Sequence, residues 1–104
     1  MIHEITINQL QEFIKNKDYN PDAKNAYFLK LIEEVGELSE AIRKDARLLD
    51  GQCIKGTIEE ELYDVLYYIV ALANVYNINI EECARLKEAL NKKKYDYKCA
   101  LNGA

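Results

Sequence analysis

The feature that most constrains this chain is a predicted helix from Thr57 to about Asn77 that is apolar on every side after Asp64. Thr57 and Glu60 form the pattern of a capping box, which predicts that a helix begins there. The apolar residues point in almost all directions around this helix: Val65, Leu66, Ile69, Val70, Leu72, Ala73 and Val75. Such a helix has to be covered by protein on most sides. Three short neighbours would hardly suffice, so we expect a homo-oligomer in which a second subunit contributes.

The rest of the chain also has the pattern of helices with clear start signals. These signals are two further capping boxes and an asparagine cap followed by proline: Thr6 with Gln9, Asn79 with Glu82, and Asn20 with Pro21. The predicted helices run from about Thr6 to Lys17, from Pro21 to Leu49, and from Asn79 to at least Lys94. Gly51 supplies a stop for the second of them. No segment is convincing as a strand, so we expect an all-α fold, a four-helix bundle in a single domain over residues 1–104.

Carboxylates on two of these helices could meet. Asp64 is the sole charge between Leu62 and Ile80, and it shares a face with Glu61 and with apolar residues. An ionised carboxylate in such a place is costly unless it is paired or bound to a metal. Glu34 and Glu37 repeat the spacing of three on the preceding helix, and a short connector lets the two helices pack antiparallel. All-oxygen ligands of this kind suit Mg²⁺ or Mn²⁺ and offer nothing to zinc or copper.

Two ordinary explanations of these acids stay open. Asp64 could form a salt bridge with Lys30 or Arg43, or lie exposed at the start of its helix, where acids favour the positive helix end. The acids around Glu34 could be the solvated face of an amphipathic helix. A di-iron site is disfavoured because it needs Glu-x-x-His, and the only histidine is His3.

Composition excludes several kinds of partner. The net charge of −4 and the lack of an early basic face argue against polymeric nucleic acid. The longest apolar run, Val65–Ala73, is far shorter than the about 20 residues that span a membrane, and no targeting segment is evident. Cys53, Cys83 and Cys99 form no C-x-x-C pair and are expected to be ordinary thiols. We therefore expect a soluble, cytoplasmic protein with neither a nucleic-acid nor a membrane partner.

The two acidic motifs resemble the signature of MazG-type nucleotide pyrophosphohydrolases. The chain has Glu33-Glu34-Val35-Gly36-Glu37, then 23 residues, then Glu61-Leu62-Tyr63-Asp64, which is similar to the family's E-E-x-x-E and E-x-x-D motifs. A basic ending on the fourth helix, formed by Lys87, Asn91 and Lys94, extends the resemblance over about Lys30 to Lys94. Tyr67-Tyr68 stands where the phosphoribosyl-ATP pyrophosphatases tend to carry Tyr-His, which argues against that subfamily.

The resemblance implies an all-α enzyme that hydrolyses a nucleoside triphosphate to a monophosphate and pyrophosphate with Mg²⁺, in cleaning of the nucleotide pool. It implies metal ligands at Glu34, Glu37, Glu61 and Asp64, and a helper such as a water-orienting group at Glu33. Lys87, Asn91 and Lys94 would contact phosphate or sugar, and Lys30 is a further candidate for phosphate binding. Similar proteins form dimers or dimers of dimers, so a homodimer or homotetramer is implied. The alternatives are a non-catalytic helical interaction module and a regulator that binds nucleotide without cleaving it.

Overall fold

The computed structural model describes the backbone of residues 4–101 and the side chains of residues 4–94. It contains four helices, α1 (Ile7–Lys17), α2 (Lys24–Arg43), α3 (Ile58–Val75) and α4 (Ile80–Leu101). There is no strand in the described backbone, which confirms the all-α prediction. None of these helices is long and apolar enough to cross a membrane.

The pairing of α2 with α3 is the main packing of the molecule. The backbone N–H of Ile58, at the start of α3, donates to Ala46 just after the end of α2. At the other end of the pair, Asp18 accepts hydrogen bonds from both Tyr27 near the start of α2 and Tyr67 on α3. The two helices are therefore antiparallel, as the sequence predicts, and the acids of each can face the other.

Helix α1 packs across α3, and α4 contacts α1 near its own start. The buried core lies between α1, α2 and the second half of α3 and consists of Leu10, Ile14, Tyr27, Val70, Ala71 and Val75. Most of α4 is exposed. The radius of gyration is 17.6 Å, whereas a compact chain of this length is expected near about 13 Å. The elongated shape leaves much apolar surface uncovered by this one chain.

A buried pair of amides joins α1 to the turn between α3 and α4. Gln11 Nε2 donates to Asn74 Oδ1 and to the carbonyl of Ile78, at 3.0 and 2.9 Å. Asn74 Nδ2 donates back to the carbonyl of Gln11, and Gln11 Oε1 accepts from the N–H of Ile80. Because each buried polar atom of the pair has a partner, hydrogen bonds offset the cost of desolvating the two amides, and the network fixes the angle of α1.

The helix starts agree with the sequence at α1 and α3, but the predicted bounds of α2 are wrong. Thr6 and Thr57 accept from the N–H groups three residues on, as caps do. Asn20 instead caps a turn through Asp22, so α2 begins at Lys24 and not at Pro21. It ends at Arg43 and not at Leu49, because Asp45 adopts a left-handed conformation with φ of 50°.

The turn at Asp45 is a Schellman motif built without glycine. The N–H of Ala46 donates to Ala41, and the N–H of Asp45 donates to Ile42, which are the two bonds of that motif. Asn77 closes α3 in the same way, with φ of 56°. Left-handed backbone costs a residue with a Cβ atom about 1–2 kcal/mol, less for Asp and Asn, so the stop signal at Asp45 carries a strain that glycine would not.

Replacing Asp45 by glycine is expected to raise the free energy of unfolding by about 0.5 kcal/mol. The relief of left-handed strain and of a negative charge at a helix end should exceed the entropy that glycine adds to the unfolded chain. Lys44 is the matched control, because it is right-handed with φ of −85°. Lys44→Gly should lower stability by about 1 kcal/mol. Denaturant unfolding of both variants measures this, and a loss of stability in Asp45→Gly would contradict it.

Candidate metal centre

Three carboxylates meet between α2 and α3. Glu34 comes from α2 and Glu61 and Asp64 from α3, and each offers a ligand oxygen within 4.8 Å of the others. Glu61 and Asp64 are one turn apart and so project from the same side of α3. Glu34 lies seven residues from each of the buried residues Tyr27 and Ala41, and this spacing puts it on the side of α2 that faces protein.

Glu61 is the most unusual of the three carboxylates. Glu61 is only 8% exposed, and its Oε2 has no hydrogen-bond partner among the described atoms. Burial, together with the negative charges of Asp64 and Glu34, raises the pKa of Glu61 to about 6. A buried acceptor without a donor is costly, and here it faces two further acids.

The same environment also raises the pKa values of the other two carboxylates. Burial and the charge of Asp64 raise the pKa of Glu34, and burial and the charge of Glu60 raise the pKa of Asp64. Lys55 acts in the opposite direction on the pKa of Asp64. The site therefore disfavours three simultaneous negative charges and would gain from a cation among them.

The first acidic motif is only partly drawn into this cluster. Glu37 lies one turn beyond Glu34, is exposed, and is outside the group of converging oxygens, although its charge contributes to the raised pKa of Glu34. Glu33 is exposed and pairs with Lys30 at 3.6 Å. The structure thus brings together three of the four predicted ligands and leaves Glu37 at the edge.

The ion pairs proposed as an ordinary explanation of Asp64 are not found among the described side chains. Lys30 pairs with Glu33, and Arg43 pairs with Glu40, in each case within α2. Asp64 itself is half-buried and is not fully exposed at the helix start.

The basic residues of α4 lie elsewhere in this chain. Lys87 and Lys94 are exposed, and Asn91 donates to Glu88 on its own helix at 3.4 Å. Because α4 packs against α1, none of the three lines the cleft beside the carboxylates. Their role with phosphate, implied by the resemblance, stays a prediction.

The cleft beside the carboxylates has a volume of about 330 Å³, and its walls include residues that the sequence did not single out. It is lined by Lys17, Glu34, Tyr63, Asp64, Tyr67 and Tyr68. Asp18 holds Tyr67 in place by accepting a hydrogen bond from its hydroxyl group at 3.2 Å. Burial raises the pKa of Tyr67 to about 12. Lys17 enters from α1, and no spacing in the sequence indicates this, because it depends on how α1 packs on α3.

Comparison with known proteins agrees with this geometry. The sequence pattern of the MazG nucleotide pyrophosphohydrolase domain matches residues 23–96, which include every residue of the carboxylate cluster. No curated protein sequence matches the chain.

Solved structures with a similar chain include two tagged forms of iMazG from Vibrio DAT 722. Ctag-iMazG is 52% identical, with 85% of this chain and 99% of that chain covered and a TM-score of 0.79. Ntag-iMazG is also 52% identical, with 88% and 98% covered and a TM-score of 0.81. A further Ctag-iMazG chain is 55% identical, with 72% and 95% covered and a TM-score of 0.63.

Proposed function

The chain belongs to the MazG family of nucleotide pyrophosphohydrolases, enzymes that hydrolyse nucleoside triphosphates, and we propose that it acts with Mg²⁺ held by Glu34, Glu61 and Asp64. The observation that carries this proposal is the buried Oε2 of Glu61, which has no hydrogen-bond partner in the part of the chain that the structure describes and lies in a triangle of carboxylates. A divalent cation would supply the missing partner and offset the charge of all three acids.

The donor set fits the proposed metal. Its ligands are carboxylate oxygens without a histidine or cysteine, which is the preference of Mg²⁺ and also of Mn²⁺. Glu37 is proposed as a fourth ligand from the edge of the cluster, because it lies one turn from Glu34 on the same helix and its exposed side chain is free to turn.

The residues around the metal divide the remaining work. When bound, Mg²⁺ neutralises phosphate charge and lowers the pKa of water, which is most of what phosphoryl transfer requires. Glu33 is proposed to orient the attacking water, and Lys30, its partner at 3.6 Å, to contact phosphate. Tyr67 is neutral at physiological pH, as an ordinary tyrosine is, and burial raises its pKa further, so this wall of the cleft adds no negative charge against the substrate.

A homodimer or homotetramer is part of the proposal. Four apolar residues of α2 form an exposed stripe in the single chain: Phe28, Ile32, Val35 and Ile42. Leu62 and Ile69 on α3 are exposed as well, at 54% and 42%. A second copy would cover these surfaces, and its α4 is the proposed source of Lys87, Asn91 and Lys94 near the phosphates.

The proposal is tested by pyrophosphate release from a panel of ribo-, deoxy- and damaged nucleoside triphosphates. We expect release with Mg²⁺, little without metal, and a loss on addition of EDTA that excess Mg²⁺ restores. Binding of triphosphate without turnover would instead favour a nucleotide-binding regulator. Absence of both binding and turnover across the panel would favour a helical interaction module.

A further inference from the structure

Lys17 is the one cation among the residues that line the cleft beside the carboxylates. The other five lining residues are two acids and three tyrosines, Glu34, Asp64, Tyr63, Tyr67 and Tyr68. Lys17 belongs to α1, so it comes to the cleft from a different helix than the acids of α2 and α3. A cleft that holds several carboxylates repels a polyanionic substrate unless positive charge is placed within it.

Aromatic rings hold the ammonium group of Lys17, and no carboxylate among the described side chains pairs with it. Its Nζ lies 5.2 Å from the centre of the Tyr67 ring and 5.7 Å from that of Phe13. Lys17 takes part in no ion pair with any side chain that the structure describes. Ring faces attract an ammonium group without accepting a strong hydrogen bond from it, so its three N–H donors remain available to a ligand.

The ring beneath Lys17 is itself fixed. Tyr67 donates to Asp18 Oδ2 at 3.2 Å, and Tyr27 donates to Asp18 Oδ1 at 2.9 Å. Asp18 follows Lys17 in the chain and thus ties the end of α1 to both α2 and α3. This arrangement places the lysine against a wall of the cleft whose orientation is set by three helices.

We propose that Lys17 binds the triphosphate chain of the nucleotide in this cleft. The inference rests on the proposed function, because it assumes that the carboxylates hold a metal–triphosphate complex. A charge-assisted hydrogen bond from Nζ to a phosphate oxygen completes the neutralisation that the metal begins. Lys17 thereby supplies, from the same chain, the positive charge that the basic residues of α4 do not bring to this cleft.

An ordinary explanation of Lys17 is that cations favour the last turn of a helix. Lys15 shares that explanation in full, because it lies in the same turn of α1 and also rests on a ring, 5.2 Å from the centre of Tyr19. Lys15 lines a different, amide-rich pocket near Asn74. A comparison of variants at the two lysines therefore distinguishes a role in the cleft, open to Lys17 alone, from a role at the helix end, open to both.

The test compares Lys17→Gln with Lys15→Gln, using the triphosphate that the wild type cleaves best. We expect Lys17→Gln to raise KM about 10- to 100-fold, the loss of one charge-assisted hydrogen bond, with a smaller change in kcat. Lys17→Arg should recover most of the lost affinity, and Lys15→Gln should behave as the wild type. Mg²⁺ binding without nucleotide, measured by calorimetry, should be the same in all four proteins, because Lys17 is not a metal ligand.

The outcomes keep this inference apart from the proposed function. An active wild type whose KM is unchanged in Lys17→Gln overturns the role of Lys17 and leaves the proposed function standing. If the wild type shows no turnover, the proposed function fails, and calorimetry with the triphosphate and Mg²⁺ still decides on Lys17. Weaker triphosphate binding by Lys17→Gln than by Lys15→Gln would then support the phosphate contact, and equal binding would overturn it.

Discussion

Replacing Glu61 by glutamine is expected to slow pyrophosphate release strongly and at the same time to stabilise the metal-free protein. The amide keeps the shape of the side chain but removes one of three converging ligand charges. Loss of one preorganised electrostatic contact to the reacting groups costs about 100- to 1000-fold in rate, and loss of a metal ligand should cost at least as much. We expect kcat/KM to fall about a thousandfold, and Asp64→Asn should fall similarly.

The stability gain follows from the same burial that makes the site reactive. Because the folded protein raises the pKa of Glu61 from 4.5 to about 6, ionising it at neutral pH costs folding free energy. The difference corresponds to about 2 kcal/mol, part of which the buried amide gives back because its own polar atoms also need partners. Unfolding by denaturant in EDTA should show a gain of about 1 kcal/mol for Glu61→Gln.

The pH dependence of this effect has a definite sign. A raised carboxyl pKa means that the folded state holds the proton more tightly, so its benefit is complete below the ordinary pKa of 4.5 and is lost as pH rises through about 6. The gap in stability between Glu61→Gln and the wild type should therefore widen between pH 4.5 and 7 in EDTA. With saturating Mg²⁺ at pH 7 the order should reverse, because only the wild type gains from the bound metal.

Glu40→Gln is the matched control for these measurements. Glu40 lies on α2 and pairs with Arg43 and Lys44, away from the carboxylate cluster. Its removal should leave both turnover and the EDTA dependence of stability unchanged. If Glu61→Gln retained full turnover, or lost stability in EDTA to the same extent as in Mg²⁺, Glu61 would be a structural acid and the metal centre would have to lie elsewhere.

The sequence was sufficient for the helices whose caps are local. Thr6 and Thr57 each bond a backbone N–H three residues away, so the pattern of residues alone marks the starts of α1 and α3. The end of α2 was not recoverable in this way. Asp45 adopts a left-handed backbone, and a glycine at this position would have predicted the end of the helix from the sequence. Gly51, the expected stop, lies beyond the end of the helix.

The depth at which each carboxylate of the site is buried also depends on tertiary packing. From the sequence, Asp64 is the more isolated acid because it is surrounded by apolar neighbours. In the structure Asp64 is half-buried and Glu61 is buried, although both converge on Glu34 of α2. Which of two acids one turn apart is the deeper depends on the rotation of α3, and that rotation is set by contacts distant in the chain.

The apolar face of α2 does not face the core of this chain, although the periodicity of its apolar residues would predict that it does. A stripe of apolar residues normally marks the side that faces the core. In α2 the side that contacts α3 instead includes Tyr27, Glu34 and Ala41, and the exposed stripe turns away from it. Ile32 and Val35 are 53% and 46% exposed. Residues whose spacing predicts a place in the core of the single chain are therefore available to pack against another protein surface.

Replacing Ile32 by glutamate is expected to convert the protein into monomers. Ile32 lies within the exposed stripe, and in a symmetric dimer each substitution appears twice, so two carboxylates would be buried at one interface. Burial of an unpaired charge costs several kcal/mol, and this cost would be incurred on both sides of the interface. Light scattering should then report a mass near 12.0 kDa for the variant and a multiple of it for the wild type.

Leu49→Glu is the matched control, because it introduces the same charge at an exposed leucine of the connector between α2 and α3. Leu49 is 66% exposed and lies outside the stripe, so this variant should assemble as the wild type does. A wild type of 12.0 kDa would rule out assembly, and an oligomeric Ile32→Glu variant would place the interface on another face. Turnover should fall with assembly in Ile32→Glu if α4 of a second copy brings Lys87 to the phosphates, and full activity of the monomer would leave Lys17 as the basic group that the cleft itself supplies.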